Sequence, residues 1–232
     1  MKQQSFETVL ASSFRSHERR MLRYMTDNRE KYLGAARFIS GVHDRDFVFS
    51  RIAFAILSAN TPFDQSVRAL NYVLEHKGTA SRLDIQQFTC VPAKADYVNT
   101  LWDSCVADPL RLLRHGYAES WSEYRYRLQR AVKGLGIAKA SFAVSLLYPL
   151  TADVACIDTW MQKVFLGNTA FKVLGKATYE MVEAKIRSYA RRVGVGTFIA
   201  QWMIWDHARG GMRNEHAIFP GSHKTESGGN EI

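Results

Sequence analysis

The sequence predicts an all-α protein of about ten helices joined by short links. Apolar residues recur at intervals of three and four, as at Phe6, Val9, Leu10 and Phe14, which is the spacing of one helix face. No segment shows the alternation of a half-buried strand, and no internal repeat is present. With 232 residues, 47% of them hydrophobic and 23% charged, the chain is long enough to bury a substantial core.

The predicted helices follow one another with few residues between them. The first covers residues 1–41 and ends at a break at Gly41. An acidic start and a strongly apolar run predict a central core helix over residues 44–58, which stops before Pro62 because proline disfavours helix at the preceding residue. Asp64 is the expected cap of the next helix. The remaining helices are predicted over residues 65–75, 83–89, 92–104, 108–116, 121–132, 137–148, 159–166, 178–193 and 198–209.

Charge and cysteine content restrict the class of protein. The net charge of +9 favours a polyanionic partner, with nucleic acid first and an anionic membrane surface second. No apolar run approaches the length of a membrane span, and the N-terminus lacks a signal-peptide layout, so we expect an intracellular protein without membrane contact. Cys90, Cys105 and Cys156 form no CxxC, which argues against disulfides, zinc and iron–sulfur sites and predicts small buried residues. Residues 215–232 are polar and rich in glycine, and they predict a disordered tail.

The segment over residues 128–163 carries the strongest functional signal. It reads LQRAVKGLGIAKASFAVSLLYPLTADVACIDTWMQK, in which Gly134 and Gly136 separate two predicted helices. Glycines in such a turn let the backbone approach a ligand closely, and the N–H groups at a helix start can bind an anion. A DNA phosphate is the natural candidate, and Asp158, about twenty residues later, suggests chemistry near that phosphate.

Three short motifs resemble those of the helix–hairpin–helix DNA glycosylase superfamily. Residues 132–140 (VKGLGIAKA) are similar to its G-h-G-x-K-x-A hairpin, in which h is apolar. Residues 156–160 (CIDTW) are similar to the segment h-D-T-H, which carries the catalytic aspartate. Residues 56–61 (ILSANT) are similar to a helix end that precedes a DNA-contacting loop. The motifs occur in the family's order, and the resemblance extends over residues 47–210.

The resemblance implies two helical lobes with an active-site cleft between them. Residues 45–149 would form a helical-barrel lobe that includes the hairpin at 132–140, and residues 1–44 with 150–212 would form the second lobe. The hairpin would lie at the mouth of the cleft. The expected partner is double-stranded DNA, bound by a monomer. The family also implies a monovalent cation, K⁺ or Na⁺, on the hairpin carbonyl groups, and we expect no other cofactor and no catalytic metal.

Asp158 is the residue that the resemblance assigns to catalysis. Cleavage of an N-glycosidic bond gives the sugar oxocarbenium character, and a nearby carboxylate stabilises that charge and orients or deprotonates a nucleophile. A simpler interpretation is that Asp158 only caps the helix that begins at Thr159. The two roles are compatible.

Lys139 is the second candidate for catalysis. Bifunctional members of the family use a lysine amine that forms a Schiff base with the sugar and allows strand cleavage. When the hairpins are aligned on their glycines, that position falls on Ala138, and one residue along a helix rotates a side chain by about 100°. On this alignment Lys139 would point elsewhere, and it could contact a phosphate or remain solvated. Alternatively, a small irregularity at Ile137 and Ala138 could turn Lys139 into the site. The sequence therefore leaves strand cleavage open.

DNA contacts and a base pocket complete the predicted site. Asn60 occupies the place of a family glutamine that fills the gap left by an extruded base, or it caps its helix. The aromatic residues of the last helix form either core or the wall of a base pocket, and Gln201 could read a base edge. The predicted DNA contacts are Ser58, Asn60, Lys133, Gly134, Leu135, Gly136 and Ala138. The predicted pocket residues are Phe198, Gln201, Trp202 and Trp205.

The function predicted from these residues is base-excision repair. A DNA glycosylase would extrude a damaged base and cleave its bond to the sugar. The segment KGLGIAKAS is similar to the hairpin of compact 8-oxoguanine glycosylases, which favours an oxidised purine, although an alkylated or mismatched base is an alternative. A DNA-binding protein of the same fold without activity is the second hypothesis. An RNA-binding or membrane-surface protein would explain the charge but not the hairpin.

Overall fold

Ten α-helices and no strands are present in residues 6–41, 44–108, 113–167 and 174–211, which are the residues that the computed structural model describes. This confirms the predicted all-α class. The helices are α1 (Phe6–Ile39), α2 (Arg45–Leu57), α3 (Phe63–Glu75), α4 (Arg82–Gln86), α5 (Lys94–Ala107), α6 (Trp121–Ala131), α7 (Ile137–Leu147), α8 (Thr159–Leu166), α9 (Lys176–Val193) and α10 (Thr197–Ala208).

Most differences from the predicted helices concern their ends. Asp64 was expected to cap α3, but Pro62 occupies the N-cap position and Asp64 lies in the first turn, where its negative charge still favours the helix. The helix predicted over 108–116 falls partly on residues 109–112, which lie outside the described residues, and residues 113–116 are not helical. The predicted tail at 215–232 also lies outside them.

The prediction of a central core helix at α2 is confirmed. Nine of its thirteen residues are buried, which is typical of a helix surrounded by other helices. Asp44 begins the helix, since its side chain accepts a hydrogen bond from the Phe47 N–H at 2.7 Å. The helix packs against α3, α5 and α7.

The helices pack in two groups. In the first, α2 contacts α3, α5 and α7, α6 contacts α7, and α4 contacts α5. In the second, α1 contacts α9 and α10, and α10 also contacts α8 and α9. The lobe boundaries expected from the resemblance remain a prediction.

Two of the three cysteines are buried as predicted. Cys105 and Cys156 lie in the interior, and burial raises the pKa of each thiol to about 12. The prediction was wrong for Cys90, which is exposed because it lies in the link between α4 and α5.

A buried polar network fixes the segment that leads from α7 to α8. The Arg125 Nη1 donates to Glu183 Oε1 at 2.6 Å, and both side chains are almost fully buried. The same Glu183 oxygen accepts from the Ala155 N–H at 2.9 Å. The Tyr179 hydroxyl donates to the Ala155 carbonyl at 2.7 Å and accepts from the Ile157 N–H at 3.2 Å. These bonds supply partners for a backbone that has no regular structure.

No helix in the described residues is both long enough and apolar enough to cross a membrane.

Candidate active site

The two glycines of the hairpin have different structural roles. Gly134 has a φ of +91°, and a Cβ added to it would lie 2.5 Å from the Tyr97 ring, so the turn requires glycine here. Gly136 has a φ of −78°, and a Cβ there would meet no atom within 4 Å. Only Gly134 is needed for the turn, and Gly136 leaves space beside the start of α7.

The start of α7 has free backbone donors. Gly136 is the N-cap, and no side chain caps the helix. The Ala140 N–H bonds to the Gly136 carbonyl at 2.8 Å, whereas the N–H groups of Ile137, Ala138 and Lys139 find no acceptor among the described residues. Free N–H groups at the positive end of a helix form an anion site.

The rest of the hairpin contributes charge and an anchor. Lys133 is exposed, with its Nζ 5.7 Å from the centre of the Tyr97 ring. Leu135 buries its side chain in the core, so only its backbone could contact DNA. In the described part of the chain, the carbonyl groups of Lys133, Gly134 and Leu135 accept no hydrogen bond. Carbonyl oxygens of this kind fit the expected monovalent cation.

A cavity of about 700 Å³ lies beside the hairpin, within the size range of ligand pockets. Its walls come mainly from the C-terminal end of α2 and from α7, α8 and α10, with further residues from α1, α3 and α9. Eleven of the thirteen predicted site residues line it, and Lys133 and Leu135 do not. The eleven are Ser58, Asn60, Gly134, Gly136, Ala138, Lys139, Asp158, Phe198, Gln201, Trp202 and Trp205.

Asp158 faces this cavity from the N-terminus of α8. Its Oδ1 accepts a hydrogen bond from the Met161 N–H at 2.9 Å, so the predicted capping role is present. Burial raises the pKa of the Asp158 carboxyl above its usual value, while the Met161 N–H and the charge of Lys139 oppose that shift. The Trp205 indole lies near this carboxyl and also favours its ionised form, without completing a hydrogen bond of normal geometry.

Lys139 extends into the same cavity. Its Nζ donates to the Ser58 hydroxyl at 2.9 Å and lies 5.2 Å from the centre of the Phe142 ring. Of the two orientations that the sequence left open for Lys139, the structure has the one that brings it to the cavity. Its four-carbon stem reaches the cavity, and the preceding Ala138 lines it as well.

Lys94 is a site-supporting residue that sequence reasoning missed. It is only 3% exposed, and its Nζ donates to the Leu57 carbonyl at 2.8 Å, the Ala59 carbonyl at 2.6 Å and the Thr61 hydroxyl at 2.8 Å. Burial lowers the pKa of Lys94 to about 8, and the charge of Lys139 also lowers it. This lysine fixes the end of α2, and an isolated lysine on α5 gives no sequence signal for that role.

The loop held by Lys94 carries Asn60. Asn60 is exposed and has a φ of +52°, a left-handed conformation that asparagine tolerates better than most residues. It lies two residues after the C-cap residue Ser58, in the turn that ends α2, and it also lines the cavity. Its role in filling a gap in DNA stays a prediction.

The aromatic residues of α10 serve both as core and as cavity wall. Phe198 and Trp202 are buried and stack with ring centres 5.7 Å apart, and the half-buried Trp205 continues the wall. The Gln201 Oε1 accepts from the Cys156 N–H at 2.8 Å, so this oxygen supports the backbone before Asp158. The Gln201 amide N–H₂ and the second lone pair of its oxygen are left to contact a ligand.

The fold was compared with those of known proteins. No family model matches the sequence, and no curated protein sequence is significantly similar to it. Among solved structures, the 8-oxoguanine DNA glycosylase of Thermotoga maritima matches with a TM-score of 0.69 and 16% identity, over 85% of this chain and 98% of that chain. The chain has the fold of an 8-oxoguanine DNA glycosylase.

Structures from Methanocaldococcus jannaschii support this assignment. Its 8-oxoguanine glycosylase/lyase, solved in complex with a 15-mer DNA containing 8-oxoguanine, matches with a TM-score of 0.66 and 17% identity, over 82% of this chain and 96% of that chain. Another structure of its 8-oxoguanine DNA glycosylase matches at 0.56 and 18%, over 86% and 93%. At this level of identity the similarity establishes the fold alone.

Proposed function

We propose that this protein is a DNA glycosylase that extrudes a damaged base from double-stranded DNA and cleaves the bond between base and sugar. The observation that carries the proposal is that Asp158 and Lys139 line one cavity beside the uncapped start of α7. The substrate that we propose is 8-oxoguanine, because the proteins of similar fold act on that base. The protein would act as a monomer.

DNA would bind at the hairpin. The free N–H groups of Ile137 to Lys139 would hold one phosphate, and the open space beside Gly136 would let that phosphate approach. Lys133 and the overall charge of +9 would add affinity that decreases with salt. The exposed Asn60 would contact the position that the extruded base vacates.

The cavity would then receive the extruded nucleotide. Phe198, Trp202 and Trp205 would provide the apolar wall on which a base stacks. As the glycosidic bond breaks, its electrons leave with the base, and the Asp158 carboxylate stabilises the positive charge that develops on the sugar. The Lys139 ammonium would give a proton to the departing base, and its amine would then bond to C1′ of the sugar. Breaking of the bond between C1′ and the ring oxygen would open the sugar and give the Schiff base that permits strand cleavage.

The substitution Asp158→Asn tests the first half of this mechanism. An asparagine oxygen can still accept from the Met161 N–H, so the cap and the stability should be retained. We expect single-turnover base release to fall by about 10²-fold or more, with unchanged DNA affinity. The substrates are duplexes carrying 8-oxoguanine, uracil, a thymine mismatch or an alkylated purine. Full activity in the variant would remove Asp158 from the mechanism.

Borohydride reduction during turnover tests the second half. It should trap a covalent complex between the wild-type protein and DNA, and the complex should be lost in Lys139→Ala but retained in the control Lys133→Ala. Base release without trapping, with alkali-labile abasic products, would assign the attack to water. Tight duplex binding with no base release from any substrate would instead indicate a DNA-binding protein without activity.

A further inference from the structure

A neutral hydroxyl group, and not a carboxylate, holds the amine of Lys139. The Lys139 Nζ donates to the Ser58 Oγ at 2.9 Å and lies 5.2 Å from the centre of the Phe142 ring. In the described part of the chain, Lys139 has no carboxylate oxygen within 4.0 Å, so its charge acts on the Asp158 carboxyl from a greater distance. Among the described residues, the hydrogen bond to Ser58 is therefore the polar contact that sets the position of this amine.

The direction of both hydrogen bonds of the Ser58 hydroxyl is fixed by its partners. A lysine ammonium has no acceptor, so the Ser58 oxygen must accept from Lys139. A carbonyl has no donor, so the single hydroxyl proton of Ser58 must go to the Ala55 carbonyl, which lies 3.1 Å away. A DNA phosphate needs a donor, and the O–H of Ser58 is already used by α2. The DNA contact expected for the Ser58 side chain would therefore require breaking that bond.

A second lysine fixes the backbone on both sides of Ser58. Lys94 is 3% exposed, and its Nζ donates to the carbonyl groups of Leu57 and Ala59, at 2.8 and 2.6 Å. These two residues directly precede and follow Ser58. A shift of the backbone here would leave the buried Lys94 with unpaired donors, which is costly. Lys139, on α7, thus meets a hydroxyl whose position is determined by α2 and α5.

We propose that Ser58 is a positioning residue that holds the Lys139 amine in the cavity for its bond to C1′, and that its side chain does not bind DNA. This inference rests on the proposed glycosylase function and deepens its second half. A lysine side chain has many rotamers, and ordering it beforehand lowers the entropic part of the barrier. A hydroxyl does this without the strong attraction of a carboxylate, so the amine can leave Ser58 for the sugar without separating an ion pair.

The substitutions Ser58→Ala and Ser58→Thr test the assignment on a duplex that already contains an abasic site. This substrate measures formation of the Schiff base by borohydride trapping, whichever base the protein removes. We expect Ser58→Ala to lower the single-turnover trapping rate at saturating DNA by about 10-fold, because a hydrogen bond to a charged donor is lost. Affinity for the same duplex, measured without borohydride, should be unchanged. Ser58→Thr keeps the hydroxyl and should retain most of the rate.

Ser50→Ala is the matched control. The Ser50 hydroxyl donates to the Phe47 carbonyl at 2.9 Å, which is the same kind of bond between residues three apart on α2, but Ser50 does not line the cavity. This variant should trap DNA at the wild-type rate, so that a loss confined to Ser58→Ala is not a general loosening of α2. Lys139→Ala gives the background of trapping by other amines.

The outcomes separate this inference from the proposed function. A wild-type trapping rate in Ser58→Ala would overturn the inference and leave the proposed function standing. Weaker binding of the abasic duplex by Ser58→Ala, with an unchanged rate at saturation, would also overturn it and make Ser58 a DNA contact. An equal loss of rate in Ser58→Thr or in Ser50→Ala would overturn it, because the first keeps the hydroxyl and the second lies outside the cavity. No trapping by the wild type would overturn both the role of Lys139 as nucleophile and this inference.

Discussion

The buried ion pair between Arg125 and Glu183 allows a quantitative test of how the site is supported. The substitution Glu183→Gln removes the negative charge but keeps an oxygen that can accept from the Ala155 N–H. Among the described residues, Arg125 would then keep three side-chain acceptors, the new amide and the Ser122 and Ser141 hydroxyls at 3.1 and 3.4 Å, and none of them is charged.

The expected cost follows from the burial of both partners. The Arg125 and Glu183 side chains are 0% and 2% exposed, and removal of one partner of such a pair typically costs about 3–5 kcal/mol. For a chain of 232 residues, each kcal/mol lowers the melting temperature by roughly 2–4 °C, so we expect a decrease of about 6–20 °C. The substitution Arg125→Met should cost less, because Glu183 keeps Arg187 as a partner at 3.0 Å.

Urea and thermal unfolding of both single variants and the double variant measure these values. The double variant Arg125→Met with Glu183→Gln should lose less free energy of unfolding than the sum of the two single losses, because no unpaired charge remains. A cost below about 1 kcal/mol for Glu183→Gln would refute the reasoning. Single losses that add to within about 0.5 kcal/mol would also refute it.

Three further predictions concern the hairpin and the end of α2. Gly134→Ala should lower the free energy of unfolding in urea by about 2–4 kcal/mol, because Gly134 has a positive φ and a Cβ there would meet the Tyr97 ring. Gly136→Ala should change this free energy by less than about 1 kcal/mol but weaken DNA binding. Equal costs of the two variants would contradict the assigned roles. Folding lowers the pKa of Lys94 from 10.5 to about 8, so between these pH values the unfolded chain binds more protons than the folded one. The free energy of unfolding of the wild type, relative to that of Lys94→Met, should therefore rise by up to about 3 kcal/mol as the pH increases from 8 to 10.5. A flat difference would contradict this assignment. Lys133→Ala should reduce the slope of log affinity against log salt for duplex DNA by about 1, and an unchanged slope would exclude a phosphate contact.

Local patterns predicted the helices because their apolar faces recur within each segment. The central position of α2 followed from its nearly continuous apolar run, and the capping role of Asp158 followed from its place before a helix. The start of α3 was less predictable because Pro62 and Asp64 are both favourable near a helix start, and only the backbone decides which of them is the N-cap.

The missed features are contacts between residues far apart in sequence. Lys94 reaches carbonyl groups 35 and 37 residues away, and Arg125 meets Glu183 across 58 residues. A buried lysine and a buried arginine look like surface residues in a sequence, since nothing local indicates their partners. The orientation of Lys139 stayed open in the sequence for another reason: a rule about helix rotation describes where a side chain begins, whereas a four-carbon stem determines where its amine ends.

The hydrogen bond at the start of α8 has a consequence for the symmetry of the Asp158 carboxyl group. A free carboxylate has two equivalent oxygens that exchange by a half-turn about its terminal bond. In this protein Oδ1 accepts a hydrogen bond from the Met161 N–H at 2.9 Å. The exchange would break the cap, so the two oxygens are no longer equivalent. The helix thus presents the cavity with a single oxygen in a fixed direction, before any ligand arrives.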